Sequence, residues 1–184
     1  MVTSGTDARL VEEWKLNSRV NISRFLSSIT SLTFGDRANK STYLVTRNYT
    51  IVEQEIAPKV SFQPNQNLRF TVNYAYAKKR GNSSSENVRA ESNSIGIETK
   101  LNQLSKRTIT TGFNYISIGY NGAETTPMGY EILEALQNGD NFTWSIDLQQ
   151  RLSNGLNVTI IYEGRQSEGS GIIHTGRMQV SALF

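Results

Sequence analysis

Cysteine is absent from the 184 residues, which closes off a disulfide framework and thiolate metal sites. Proline is scarce, with three in the chain, and there is one histidine. Nothing approaches the run of about 20 apolar residues that a membrane helix needs. Hydrophobic residues make up 37% and the mean hydropathy is −0.42. Those values offer no membrane helix in this sequence but leave a transmembrane β-structure open, because in such a structure only alternate residues face lipid. The net charge of +3 is spread along the chain rather than gathered in a patch, which argues against nucleic-acid binding. Met1-Val2-Thr3-Ser4-Gly5 is not a charged segment followed by an apolar stretch, so an exported form would have its signal peptide removed or upstream. At this length one domain, 1–184, is expected, either whole or as the C-terminal portion of a larger barrel.

What is present is alternation. In the last eleven residues Gly176, Met178, Val180, Ala182 and Phe184 are small or apolar, while Thr175, Arg177, Gln179 and Ser181 are polar. This is the pattern of a strand with one apolar and one polar face. The same pattern recurs along the chain and predicts about eight strands. They fall at about 8–23, within 42–62, from Leu68 to Ala77, 88–102, from Ile109 to Tyr120, 141–152, 156–163 and the terminus. Long polar connections are expected at about 24–41, 79–87, 121–140 and 165–171, and short turns at 63–67, 103–105 and 153–155. Parity settles the last turn. A two-residue Asn154-Gly155 loop would put the apolar faces of its two strands on opposite sides, whereas a three-residue loop with left-handed Gly155 pairs Leu152 with Leu156 and aligns them. Apolar parity switches at Ile116, Ile118 and Tyr120, which predicts a bulge or an apolar patch above a polar interior. Residues 129–137 read as a short helix closed by Asn138-Gly139.

Long and short connections alternating along such strands describe an all-β, antiparallel, up-and-down transmembrane β-barrel. Its polar face carries Arg69, Glu98, Lys100, Asp147, Arg151, Glu163 and Arg177, expected to pair as a charge network inside the barrel. Its apolar face carries Trp14, Tyr74, Tyr76, Tyr115, Trp144 and Tyr162 near strand ends, expected to form an aromatic girdle. Tyr130, Ile132, Leu133 and Leu136 make an apolar stripe at helical spacing, expected to fold back over the barrel mouth as a lid.

The stretch Ile56-Ala57-Pro58-Lys59-Val60-Ser61-Phe62 through Leu68-Arg69-Phe70-Thr71-Val72 resembles a periplasmic hairpin of bacterial outer-membrane β-barrels. The tract from Gly129 to Phe184 is similar to the closing segments of large Bacteroidota outer-membrane-associated β-proteins. The resemblance implies an outer-membrane location in a Gram-negative cell, a lipid bilayer around the barrel, and the barrel assembly machinery as a partner that reads the terminal strand. Other outer-membrane or surface proteins are further candidate partners. One departure is that Gly176 is in phase with Phe184, where the usual terminal signal sets its glycine out of phase.

Chemistry is thinly represented, and an enzyme is not expected. His174 shares parity with the apolar face, where an amphipathic ring at the interface is the plainer reading, and no serine or acid motif surrounds it. Asn-x-Ser/Thr triplets at Asn21, Asn39, Asn48, Asn82, Asn141 and Asn157 reflect an Asn/Thr-rich composition rather than glycosylation. Glu124, Glu131, Glu134 and Asp140 read as a solvated loop and helix before a cation site, and no cofactor is expected. Three functions stand open. They are a plugged outer-membrane barrel serving as anchor, surface-display or structural protein, the C-terminal segment of a larger transport or secretion barrel, and a soluble β-sandwich binding module. For a barrel, the terminal strand sets the short turns and the residues before Ala8 on the periplasmic side and the long loops outside.

Overall fold

The computed structural model describes residues 6–43, 47–83, 86–103, 106–152 and 155–182. Nine antiparallel strands lie in one sheet in chain order. They are β1 (Asp7–Asn21), β2 (Leu26–Ser41), β3 (Tyr49–Phe62), β4 (Leu68–Ser83), β5 (Asn87–Gln103), β6 (Arg107–Tyr120), β7 (Gly139–Arg151), β8 (Leu156–Ser167) and β9 (Ile173–Ala182), with helix α1 (Pro127–Leu133) between β6 and β7. The expected all-β, up-and-down architecture is therefore present, and a two-sheet sandwich is not.

Register explains the two faces. The row Leu16, Leu32, Ile56 and Tyr76 runs across β1 to β4 by direct pairing, and Val72, Ile97 and Phe113 continue such rows across β4 to β6. All of these point to one side. Helix α1 lies on the other, where Glu131 reaches Arg9 of β1 and the Ala135 carbonyl accepts from Arg165 of β8. A short segment that touches both β1 and β8 requires the sheet to curl around it. The polar face is thus concave and the apolar face convex. Large exposed apolar side chains such as Leu16, Val72, Ile97, Phe113 and Val180 greatly outnumber the buried ones. In water that distribution would be unstable; in hydrocarbon it is the stable one.

Two expectations need correction. The polar stretch at 24–41 is strand β2, paired to β1 from Ser27↔Asn21 to Ser41↔Asp7, which makes nine strands rather than eight. Its outward positions Ser28 and Thr30 below Leu32 and Phe34, with Asp36 and Lys40 above, hide the alternation from a hydropathy reading. The extra strand also moves the start of β1 to the end of the sheet that carries the β2–β3, β4–β5, β6–β7 and β8–β9 connections, opposite the position expected for the residues before Ala8. Second, the connection at 79–87 is short, because β4 runs through Gly81-Asn82-Ser83. Gly81 marks a close approach rather than a loop, since a Cβ there would lie 2.7 Å from Met128 Sδ and 2.8 Å from Ile132 Cδ1. Of the two readings of the parity switch on β6, the apolar patch holds and the bulge does not, since β5 and β6 pair without interruption from Gln103↔Arg107 to Ala90↔Tyr120. Ile116, Ile118 and Tyr120 face inward beneath α1.

The β7–β8 turn closes as the parity argument requires. The Leu152 N–H donates to the Leu156 carbonyl at 2.7 Å, and Gly155 has φ of 74°. Ser153 and Asn154 lie outside the described residues, as does Phe184. Among the described residues β1 and β9 do not pair with each other, and both are exposed along their whole length.

The face assignment has a direct test. Val72→Arg, at the middle of the apolar band on β4, should destabilise the membrane-inserted state by about 2–4 kcal/mol. Thr110→Arg, on the concave face between Lys100 and Asp147, should leave it nearly unchanged. Urea titration of protein folded in lipid vesicles measures both.

Candidate functional site: a helix clamped inside the curled sheet

Helix α1 begins where local chemistry dictates. Thr126 is the N-cap, its hydroxyl accepting from the Gly129 N–H at 2.9 Å, and Pro127 occupies the first turn, where a missing N–H costs nothing. The expected helix over 129–137 is therefore shifted, because the cap and proline start it earlier and left-handed Glu134 and Ala135 stop it. Ile132 and Leu133 are 3% and 2% exposed and pack with Met128 on Ile51, Val88, Ala90, Ile118 and Tyr120, with Leu136 partly buried beside them. Tyr130, expected in the same stripe, points away and is 65% exposed. The apolar parity switch on β6 thus supplies the floor on which the helix sits.

Around this floor lies an alternating set of charges. Lys79, 7% exposed, donates to the Ile132 carbonyl at 3.3 Å and pairs with Glu134 and, at 3.4 Å, with Glu53. Arg37 bridges Glu53 at 3.1 Å and Glu131 at 3.4 Å, and Arg9 also meets Glu131. Three cations face three carboxylates, and the Lys79 ammonium caps the helix C-terminus, where the backbone dipole favours positive charge. Glu131 and Glu134 are thus claimed by cations, while Asp140 accepts from the Tyr115 hydroxyl at 2.9 Å. These acids do not converge on a cation site, and among the described residues no cluster of metal-ligating side chains is found. Tyr49 and Tyr120 stand at strand ends beyond the apolar band. Burial raises both phenols above their ordinary value, with Glu131 adding to the effect at Tyr49 and Glu86 at Tyr120, so the floor stays uncharged.

The return from the helix to β7 is fixed by Asn141, which is fully buried. Its Nδ2 donates to the carbonyls of Gln137 at 2.8 Å and Gly139 at 3.1 Å, and its Oδ1 accepts from the Gln137 N–H at 3.2 Å. Sequence reasoning passed over Asn141 as one of many Asn-x-Thr triplets, and neither Lys79 nor Glu53 stood out. The signal available was the apolar patch on β6, which implied something packed above it.

The residues expected to form an interior charge network, Arg69, Glu98, Lys100, Asp147, Arg151, Glu163 and Arg177, all occupy the concave face. Among the described residues, however, no ion pair joins any two of them. Register shows why: Arg69 lies directly opposite Lys100, Glu98 opposite Thr71, and Asp147 opposite Thr110 and Ile161. The expected girdle residues Trp14, Tyr74, Tyr76, Tyr115, Trp144 and Tyr162 lie on the convex face. Trp144 covers Gly164 and donates to the Tyr162 hydroxyl at 3.3 Å. That hydroxyl bonds His174 Nδ1 at 2.9 Å, with the two rings stacked, so the histidine belongs to an aromatic cluster at the outer surface. Gly176, Met178, Val180 and Ala182 share this face.

No family model and no curated protein matches the sequence. Solved structures do match in fold. OmpT, an outer membrane protein of Vibrio cholerae, superposes with a TM-score of 0.58 at 10% identity, over 84% of this chain and 45% of that one. The translocator domain of the autotransporter NalP from Neisseria meningitidis superposes with a TM-score of 0.56 at 9% identity, over 95% and 66%. The chain therefore spans about half to two thirds of the length of these proteins. The fold is that of transmembrane β-barrels, and these neighbours agree with the outer-membrane setting expected from the sequence. They do not bear on the Bacteroidota resemblance.

The clamp predicts a specific defect. Lys79→Met strands buried Glu53 with Arg37 alone and removes the helix cap, so helix docking should weaken by about 3–5 kcal/mol. Limited proteolysis within 121–138 should accelerate while the strands stay protected, and adding Glu53→Gln should restore part of the protection.

Proposed function

We propose that this chain forms one wall of a larger outer-membrane β-barrel that conducts or secretes a substrate, with α1 narrowing its lumen. The observation that carries the reading is the helix inside a curled sheet whose two edge strands are exposed and, among the described residues, do not pair with each other. Nine strands about 4.8 Å apart, tilted by about 40°, would close at a backbone radius of about 9 Å. Inward side chains would fill most of that radius, whereas a helix with its side chains is about 10–12 Å across. Further strands between β9 and β1 supply the missing circumference. The anchor or display role expected from a plugged eight-strand barrel rested on closure of the chain on itself, which these edges do not favour. The convex apolar band has the lipid bilayer as partner, the terminal strand has the assembly machinery, and no catalytic step is assigned to the wall.

Two measurements test this. Single-channel conductance of the purified assembly should rise several-fold when residues 123–137 are replaced by a short Gly/Ser turn. Leu16→Cys combined in turn with Gly176→Cys, Met178→Cys and Val180→Cys should give no intramolecular disulfide. Efficient β1–β9 cross-linking would return the chain to a self-closed barrel. Orientation is read separately: Gly171→Cys should be labelled on intact cells by an impermeant reagent, and Gln66→Cys should not.

A further inference from the structure

The convex face of β2 to β5 changes character above the apolar band. On β4 the band runs from Leu68 to Tyr76, and the next outward positions are Lys78 and Arg80; on β5 they are Glu91 and Arg89. Arg80 and Arg89 are direct cross-strand partners, so two guanidinium groups emerge side by side on the same face. Like charges placed opposite each other on a sheet repel. Glu91, the acid in the adjacent row, is taken by Lys78 at 3.5 Å, and among the described residues no ion pair reaches Arg80 or Arg89. Both arginines are exposed. They are among the residues lining a hollow of about 1140 Å³ at this rim of the sheet, which takes in outward-facing Lys40, Thr50, Val52, Asn82 and Asn87 together with inward-facing Tyr49, Gly81 and Val88. Arg80 lies four residues beyond Tyr76, about 10 Å higher along the membrane normal for a tilted strand. That height is the polar layer just outside the hydrocarbon, and long arginine stems reach back toward it.

We propose that Arg80 and Arg89, with Lys40 of the same hollow, bind the phosphate of a lipid headgroup at the outer surface of the barrel. The inference rests on the membrane reading above. Two forked guanidinium groups in register match the oxygens of one phosphate, and an anion between them turns a repulsive pair into a stabilising one. Amide groups of Asn82 and Asn87 stand ready for the remaining oxygens, and the apolar band below receives the acyl chains. The site lies on central strands, so it does not depend on how the sheet edges are completed.

The assembled protein in detergent micelles is titrated with short-chain phosphatidic acid, with the matching diacylglycerol and with inorganic phosphate, and bound molecules are counted by native mass spectrometry. Phosphatidic acid should be retained and diacylglycerol should not. Arg80→Gln/Arg89→Gln should weaken retention about 30-fold, the effect of two basic residues at a membrane surface. Arg69→Gln/Lys100→Gln, on the concave face, should have no effect. If the double variant fails to assemble, the single variants give the same readout at reduced size. Unchanged retention in the arginine variants overturns the site, and inorganic phosphate bound as tightly as the lipid overturns its assignment to a headgroup. Protein that stays monodisperse in water without detergent would instead overturn the membrane reading itself.

Discussion

A backbone that crosses hydrocarbon must satisfy every N–H and C=O within the protein, because no water is there to do so. Within the sheet the requirement is met by one antiparallel ladder, broken between β3 and β4 only at Ala57 and Pro58, while among the described residues the outer edges of β1 and β9 stay open. Once the ladder is fixed, period-two geometry sends alternate side chains to opposite faces, and the faces can differ only if apolar parity is kept from strand to strand. Loop lengths follow from that. The Gln103–Arg107 and Leu152–Leu156 closures each span three intervening residues, the odd number that carries an apolar face across a turn.

The ladder cannot by itself account for an inward apolar patch. Ile51, Val88, Ala90, Ile118 and Tyr120 face the polar side near one end of the sheet, where water would leave them exposed. Helix α1 solves this locally and creates a second difficulty, since its carbonyl end comes down among strands. Lys79 resolves that by capping Ile132 while sharing Glu53 with Arg37. An isolated ammonium at this depth would be costly, and so would Glu53 alone; as an alternating set they balance. The helix is therefore tied to β3, β4, β5 and β6 by packing and to β1, β2 and β8 by charge or hydrogen bonds, which makes it a part of the wall's inner surface rather than a loose loop.

How much of this was legible follows from which signals survive without a third dimension. Strand parity on β4, β7 and β9 was readable because lipid-facing positions are apolar one after another, as in Leu68, Phe70, Val72, Tyr74 and Tyr76. Strand β2 was not, because its upper half stands beyond the apolar band and its lower outward positions include Ser28 and Thr30, so neither half shows a hydropathy contrast. The same blindness made Gly81-Asn82-Ser83 look like a loop when Gly81 is small because Met128 and Ile132 press on it. Charged residues on the concave face were identified correctly as to side. Their pairing was not, because pairing depends on register: Arg69 opposes Lys100, while Lys79 meets a helix that arrives from more than fifty residues away.

The two polar zones of this molecule obey different accounting. At the helix, three cations meet three carboxylates around a buried lysine and a buried carboxylate, so that cluster is self-sufficient. Outside, above the apolar band, Arg80 and Arg89 are set against each other with no matched acid among the described residues, an arrangement that a soluble surface would separate at small cost. What distinguishes the outer zone is its surroundings: a layer where anions are anchored at fixed height by their own acyl chains. A sheet that spans such a layer can leave part of its charge balance to the lipid, and these two arginines lie at the height where that balance is available.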